Sequence, residues 1–327
     1  MITTSGPAQV RATTLSPRTV IICPALPCPA LPCPAQPSPA QPSPAQYGVA
    51  VVEPIPTTNV PNATTLLDPA RTDPMRISLV DLERLASKGW QGTSTKPLGD
   101  WLLRAGAGFT GRANSVLPLG SAALHIDDAL EEITAFYRGH RLPPLFQVPL
   151  DRPGSEIARL DSDLDARDWS SFNPTWVLVA TLAESLQRCP TRPDLPPARF
   201  EDTASPAWLG GYLYRGSRLP PSAVEVLENA DNVVFASITD NDGQAAVARG
   251  VLTGDWLGVT ALTVDQTRRR GGVGRQLMAE LTRWALQRGA HSAYLQVAAE
   301  NDAALRLYDT LGYVRHHQYH YRRAPQP

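Results

Sequence analysis

The chain has 327 residues, 43% of them hydrophobic and 19% charged, an ordinary globular balance with room for about two domains. A net charge of −1 excludes a whole-molecule field that would draw nucleic acid or a membrane surface. No apolar run approaches the ~20 residues that span a bilayer, and proline interrupts Val20-Ile21-Ile22 too soon for a signal peptide, so a cytoplasmic protein is expected.

Residues 1–75 read as a disordered tail. From Cys23 a five-residue unit repeats as CPALP, CPALP, CPAQP, SPAQP, and proline at this density fixes φ and removes donors, so neither helix nor sheet propagates. The simplest reading is a tail upstream of a start at Met75, with Gly48 to Ile55 as one strand-like fragment within it. Cys23, Cys28 and Cys33 belong to the repeat and Cys189 stands alone, so neither a disulfide framework nor a metal spacing is expected.

Residues 76–190 read as an α/β lobe. Ile77, Val80, Leu82, Leu85 and Ala86 recur at helical spacing. Short strands are expected at Trp101–Leu103 and Ser115–Leu117 around a glycine-rich turn, a helix over Asp127–Tyr137, and a strand at Phe146–Val148. A third helix is expected over Leu160–Asp168 and a buried strand over Trp176–Thr181. A linker follows at 191–205, where Pro190, Pro193, Pro196 and Pro197 crowd together.

Residues 206–323 form the second lobe. Val233–Thr239, Ala245–Leu252 and Trp256–Val264 are strands joined by the short turns Asp240-Asn241-Asp242-Gly243 and Thr253-Gly254-Asp255, an antiparallel meander. A helix runs from Gly272 to Arg288, with Val273, Leu277, Leu281 and Trp284 on one face and Gly289 as its stop. A strand at Ala293–Val297, a helix over Asp302–Thr310 and a last strand at Tyr313–Tyr321 complete it.

The chemistry concentrates in Val264-Asp-Gln-Thr-Arg-Arg-Arg-Gly-Gly-Val-Gly274. The glycines let the strand turn tightly into a helix whose first N–H groups have no intrahelical partner, an arrangement that suits phosphate. Arg268, Arg269, Arg270 and Arg275 add positive charge. The turn is neither a dinucleotide fingerprint nor a nucleotide P-loop. Downstream lies Glu300-Asn-Asp-Ala-Ala-Leu-Arg-Leu-Tyr-Asp-Thr-Leu-Gly-Tyr313.

These two segments resemble the GNAT (GCN5-related) N-acetyltransferase superfamily. Arg269, Gly272 and Gly274 match its Arg/Gln-x-x-Gly-x-Gly/Ala turn, and the second segment matches N-x-x-A-x-x-L-Y-x-x-L-G-Y/F, one helix and one strand further on. Leu98–Gly106 and Gly108–Gly120 resemble a bacterial tandem group, some members of which are labelled histone-acetyltransferase-like, with a degenerate first half. The resemblance implies an α/β (α+β) fold of two GNAT-like lobes, each a mixed, mostly antiparallel sheet flanked by helices.

It further implies acetyl-CoA as co-substrate and no metal. Leu262, Thr263 and Val264 would pair with the pantetheine arm. The backbone from Arg269 through Arg270, Gly271, Gly272, Val273, Gly274 and Arg275 would hold the pyrophosphate. Asn301 matches a cofactor-contacting Asn, and Tyr308 the acid that protonates the departing thiolate. No acid lies within Trp256–Val264, which leaves Asp255, Asp265 and Glu300 as carboxylates for the base. Arg112, Asn114 and Ser115 face either an acceptor pocket or the lobe's own core.

The acceptor is a small-molecule amine or a protein lysine or N-terminus, and the protein a monomer or homodimer that binds neither nucleic acid nor membrane. The alternative is a non-catalytic acyl-CoA sensor. His316, His317 and His320 lie in the last strand, where alternation puts His316 and His320 on one face; they read as ordinary strand residues and not as metal ligands.

Overall fold

The computed structural model describes residues 73–213 and 219–325. The proline-rich repeat and Gly48–Ile55 lie outside them. In chain order the elements are α1 (Leu79–Lys88), β1 (Ser94–Leu98), β2 (Trp101–Ala105), β3 (Val116–Pro118), α2 (Ile126–Gly139), β4 (Leu145–Pro149), α3 (Glu156–Asp165) and β5 (Ser170–Thr181). Then come α4 (Leu182–Arg188), β6 (Arg199–Glu201), α5 (Pro206–Gly211), α6 (Ala223–Glu228), β7 (Val233–Asp240), β8 (Gly243–Thr253) and β9 (Trp256–Val264). The chain closes with α7 (Val273–Leu286), β10 (Ser292–Ala298), α8 (Asp302–Thr310) and β11 (Val314–Arg323).

Local chemistry sets these boundaries. Ser78 and Ser155 each accept a backbone N–H from the third residue beyond, capping α1 and α3. In α7 the residues Val273, Leu277, Leu281 and Ala285 recur every fourth position and are all buried, each leucine contributing about 2 kcal/mol through burial. Some elements carry no such signature. β1 reads STKPL and has no buried position, as an edge strand with Lys96 and Pro97 should. β5 begins six residues before its apolar run, because Ser170–Phe172 pair with Tyr321–Arg323.

All eleven strands form one sheet in the order β1-β2-β3-β4-β11-β5-β10-β9-β8-β7-β6. Two contacts are parallel, β3 with β4 and β9 with β10; the others are antiparallel. Outward from the central β11–β5 pair the two sides match: an antiparallel neighbour, then a parallel pair, then an antiparallel meander. Each half gives its last strand to the other half. β5 ends the first half and pairs with β10, while β11 ends the second and pairs with β4. The lobes thus share a single continuous sheet.

Alternation along the strands separates two cores. On β10, Ala293, Leu295 and Val297 face α4, α7 and α8, whereas Tyr294 faces Leu82 and Ala86 of α1. On β8, Ala246 and Ala248 join the first core. Val247 joins Trp90, Trp208 and Phe235 on the other face, under α5 and α6.

Candidate functional site: a split in the sheet beside an open helix end

β9 and β10 pair only from Trp256–Ser292 to Val259–Leu295. Beyond that point β9 stays with β8 through Thr260, Thr263 and Val264, and β10 stays with β5 through Gln296, Val297 and Ala298. The strands therefore diverge. A bulge in β9, where Ala261 takes φ +58°, breaks the β8–β9 register at the split. Trp256–Val259 are buried, while Thr260–Val264 are partly exposed. Leu262, Thr263 and Val264 thus lie on an open strand edge, the kind of edge that takes an added extended chain.

The chain then turns into α7. The Asp265 carboxylate accepts from the Thr267 N–H at 2.9 Å and from its hydroxyl at 2.5 Å, and these bonds hold its pKa down. Arg268 donates to Asp240 at 2.6 Å and to Asp242 at 2.6 Å, which ties the turn to the β7–β8 hairpin and commits this arginine. Arg269 Nε donates weakly to the Val264 carbonyl at 3.4 Å. Arg270 and Gly272 both adopt positive φ, +65° and +87°; alternation of this kind points successive N–H groups into one concavity.

A Cβ at Gly272 would lie 2.7 Å from Arg192 Nη1, and one at Gly274 would lie 3.0 Å from Val264 Cγ2. The first position needs the left-handed conformation as well as the space; the second lets the helix start sit against the end of β9. No side chain caps α7 and its first turn holds no acid. Its first intrahelical bond is Gln276 N–H to the Gly272 carbonyl at 2.9 Å, so the amides of Val273, Gly274 and Arg275 point out of the helix end. Gly271 completes the turn, its N–H reaching the Arg268 carbonyl at 3.4 Å. A cavity of about 230 Å³ adjoins this end, lined by Pro190, Arg192, Gly272, Arg275 and Gln276.

Arg275 lies at the same helix end, but its guanidinium turns to α8 and α4, donating to Thr310 Oγ1 at 3.0 Å and to the Arg188 carbonyl at 3.4 Å. Asn301 caps α8, its Oδ1 accepting from Ala304 N–H at 3.1 Å. Tyr308, on α8, is 8% exposed and belongs to the core containing Val273 and Val297. Burial pushes its phenol up to about 12. Its ring centroid is 5.8 Å from that of Tyr313.

The three carboxylates separate clearly. Asp255 stands at the far end of β9, where its carbonyl accepts from His291 and Ser292, about 30 Å of strand from the turn. Asp265 is held by Thr267. Glu300 lies just past β10, at the split end, and is exposed.

In the first half, α2 is entered without side-chain capping but carries Asp127 and Asp128 in its first turn, charges that repel phosphate there. Asn114 closes its own loop, accepting from Gly106 and Gly108 N–H and donating to the carbonyls of Gly106, Phe109 and Thr110. Ser115 serves the buried Arg104 at 2.9 Å. Arg112 alone of the three reaches the second half, donating to Gln296 Oε1 at 3.2 Å. No motif announces Gln296, or Trp90 and Arg249 beside it, because they come from separate segments that only the fold brings together.

β11 departs from simple alternation. Bulges between Arg315 and His317 and between Tyr319 and Tyr321 turn His316 and His317 toward each other, 2.8 Å between their Nδ1 atoms. His320 goes to Asp161 at 2.7 Å. His316 and His320 therefore do not share a face as simple alternation predicts. Among the described residues no group of three His, Cys, Asp or Glu side chains is arranged to hold a metal, and no helix is long and apolar enough to cross a membrane.

The family model described as "Probable histone acetyltransferase Rv0428c C-terminal" matches residues 78–322. The chain is similar to an uncharacterized N-acetyltransferase, YobR, of Bacillus subtilis, 29% identical over 74% of this chain and 96% of that protein. It is also similar to the probable histone acetyltransferase Rv0428c of Mycobacterium tuberculosis, 32% identical over 77% of this chain and 75% of that one. A GCN5-related N-acetyltransferase from Kribbella flavida shares the fold with TM-score 0.57 at 16% identity, over 76% of this chain and 96% of that one. The split sheet, the glycine turn and these likenesses agree: the chain belongs to the Rv0428c C-terminal family, within the GNAT superfamily of acetyltransferases.

Proposed function

We propose that the protein is an N-acetyltransferase that moves an acetyl group from acetyl-CoA to a primary amine by direct attack in a ternary complex. One observation carries this reading: the open edge of β9 at Leu262–Val264 runs directly into an uncapped helix end. An amide-bearing arm that ends in a pyrophosphate fits that sequence of features. The backbone of Leu262, Thr263 and Val264 pairs with the arm. The amides of Arg270, Gly272, Val273 and Gly274 hold the pyrophosphate, with Arg269, Gly271 and Arg275 framing the turn and Asn301 at the neighbouring helix end.

The amine nitrogen forms a bond to the thioester carbon while the carbon–sulfur bond breaks. A backbone N–H near Val264 steadies the carbonyl oxygen as charge develops. Tyr308 supplies the proton to the leaving thiolate. Its raised pKa keeps the phenol protonated throughout the neutral range, so it serves as an acid and not as a base. Among the carboxylates, Glu300 alone stands at the split end without a structural bond holding its side chain in the turn; the amine gives up its proton there or to water.

Calorimetric titration of acetyl-CoA into the full chain, with Gly272→Asp as control, tests the reading. Micromolar binding that the control abolishes supports it; no binding overturns it. Binding without an acetylated product across a broad amine panel supports instead a non-catalytic acyl-CoA sensor, a reading favoured by the lack of any acid along β9.

A further inference from the structure

The segment between α4 and β6 is strapped to α7. Cys189 Sγ donates to the Arg275 carbonyl at 3.6 Å, the Arg192 N–H to Gln276 Oε1 at 2.7 Å, and Arg283 Nη2 to Thr191 Oγ1 at 2.5 Å. Gln276 is itself buried, at 3% exposure. Pro193 fixes φ directly after Arg192, and the Leu195 N–H closes a turn onto the Arg192 carbonyl at 3.3 Å. These bonds deliver the Arg192 side chain to a glycine turn 79 residues further along the chain. Its Nη1 lies 3.5 Å from the Gly271 carbonyl and 2.7 Å from where a Cβ on Gly272 would stand.

The glycine turn therefore has two flanks. Gly274 faces Val264 at the end of β9, and Gly272 faces Arg192. On the second flank lies the cavity of about 230 Å³, lined by Cys189, Pro190, Arg192, Gly272, Arg275 and Gln276. That lining holds two guanidinium groups and no carboxylate, so it suits an anion. Arg275 donates to neutral acceptors, the Thr310 hydroxyl and the Arg188 carbonyl. Arg192 pairs with Asp194, through Nε at 3.0 Å and through Nη2. Both side chains of that pair are about half exposed, 50% and 60%, and an ion pair so exposed is worth little. A doubly charged anion can draw Arg192 away from it.

We propose that Arg192, with Arg275 beside it, recognises the phosphomonoester on the ribose of coenzyme A. This rests on the acetyl-transfer reading above. The parts of the cofactor come in a fixed order: thioester, amide-bearing arm, pyrophosphate, then a ribose that carries a separate phosphate. The features of the protein come in the same order: the split, the open edge at Leu262–Val264, the glycine turn and, on its far flank, the arginine-lined cavity. A phosphomonoester carries about two negative charges at neutral pH, and a guanidinium meets two of its oxygens at once. Backbone amides alone serve the pyrophosphate, which the dephosphorylated cofactor also has. Arg192 adds selection for the fully phosphorylated form, and Asp194 holds the arginine at the turn until that phosphate replaces it.

Calorimetric titration of the full chain with CoA and with dephospho-CoA, which lacks this one phosphate, tests the proposal. The wild type should bind CoA about ten- to a hundredfold more tightly. Arg192→Gln keeps the backbone bond to Gln276. It should weaken CoA by that factor and leave dephospho-CoA within about twofold, which also shows that the variant is folded. Asp194→Asn should tighten CoA and leave dephospho-CoA unchanged. Equal affinity of the wild type for the two ligands overturns the proposal while the cofactor site stands. So does a preference for CoA that survives in Arg192→Gln, or a loss there that is the same for both ligands, which would make Arg192 a brace for the turn. If neither ligand binds the wild type, the acetyl-transfer reading fails and this proposal fails with it.

Discussion

Glu83 of α1 and His317 of β11 face each other with 2.9 Å between Oε1 and Nε2, at 1% and 7% exposure. The contact is the centre of a longer chain. Arg104 donates to Gln147 at 3.1 Å, Gln147 to Glu83 at 2.9 Å, and beyond His317 the second imidazole, His316, reaches the Ile77 carbonyl at 3.0 Å. A carbonyl only accepts, so His316 Nε2 carries hydrogen, and each of the two remaining gaps holds one more. The trio of His316, His317 and Glu83 is therefore neutral as a whole. Glu83→Gln breaks this count, and a buried partner loses its match. We expect a loss of about 3 kcal/mol, read as a lower urea midpoint at unchanged m value; an unchanged midpoint would show that the chain is energetically idle.

His316 gives the network a pH dependence. Burial, first, and the neighbouring His317 hold its pKa below the ordinary 6.5, against the pull of Ile77 and Glu83. One proton more than this count would also place two hydrogens in a single gap of the chain. The unfolded chain takes up that proton more readily than the folded one, so stability is complete above pH 6.5 and falls as pH drops through and below it. His316→Gln should flatten the slope of Tm against pH in that window, and a slope as steep as in the wild type would exclude this residue as its source.

Asp161 sets a second, more acidic limit. Burial raises its carboxyl pKa, but bonds from His320 and Arg322 outweigh that and hold it at about 2, against an ordinary 3.8. Its contribution is present above the ordinary value and is lost as pH falls from about 4 toward 2. Asp161→Asn should be less stable at neutral pH and should lose less on acidification across that range. Parallel acid-unfolding curves for the two proteins would contradict this.

The exchange of β5 and β11 makes the halves mutually dependent. A chain beginning at Glu201 lacks β5, which covers the whole length of β10 and most of β11. It would leave two long strand edges bare, and such edges aggregate. Either half alone should be insoluble or molten, and the two halves co-expressed should elute together by size exclusion. A monomeric second half with cooperative unfolding would refute the dependence.

Tyr308→Phe keeps the ring in its core and removes only the hydroxyl. If that hydroxyl protonates the thiolate, kcat falls about 10²- to 10³-fold while calorimetric acetyl-CoA affinity stays within about twofold. In the wild type, the alkaline loss of kcat should lie near pH 12 and not near 10. Full activity in the variant would assign Tyr308 to packing alone.

The glycine turn, the helix it opens and the Asn301–Tyr313 segment were legible because local chemistry writes them. Gly272 must take positive φ, Asn301 must cap α8, and Val273, Leu277 and Leu281 must fall on one face. The meander was legible for the same reason: tight turns and alternating strands are decided within a few residues. What chain order could not reveal depends on partners far apart in sequence. β1 and β6 have no apolar pattern of their own and exist as edges of a sheet built elsewhere. β5 is long only because β11 extends it, and the two halves share one sheet because each final strand crosses over. Trp90, Arg112, Arg249 and Gln296 belong to different segments with no common motif. Their shared position follows from pairing register and strand alternation, and the sequence by itself determined the pieces while long-range pairing decided what they enclose.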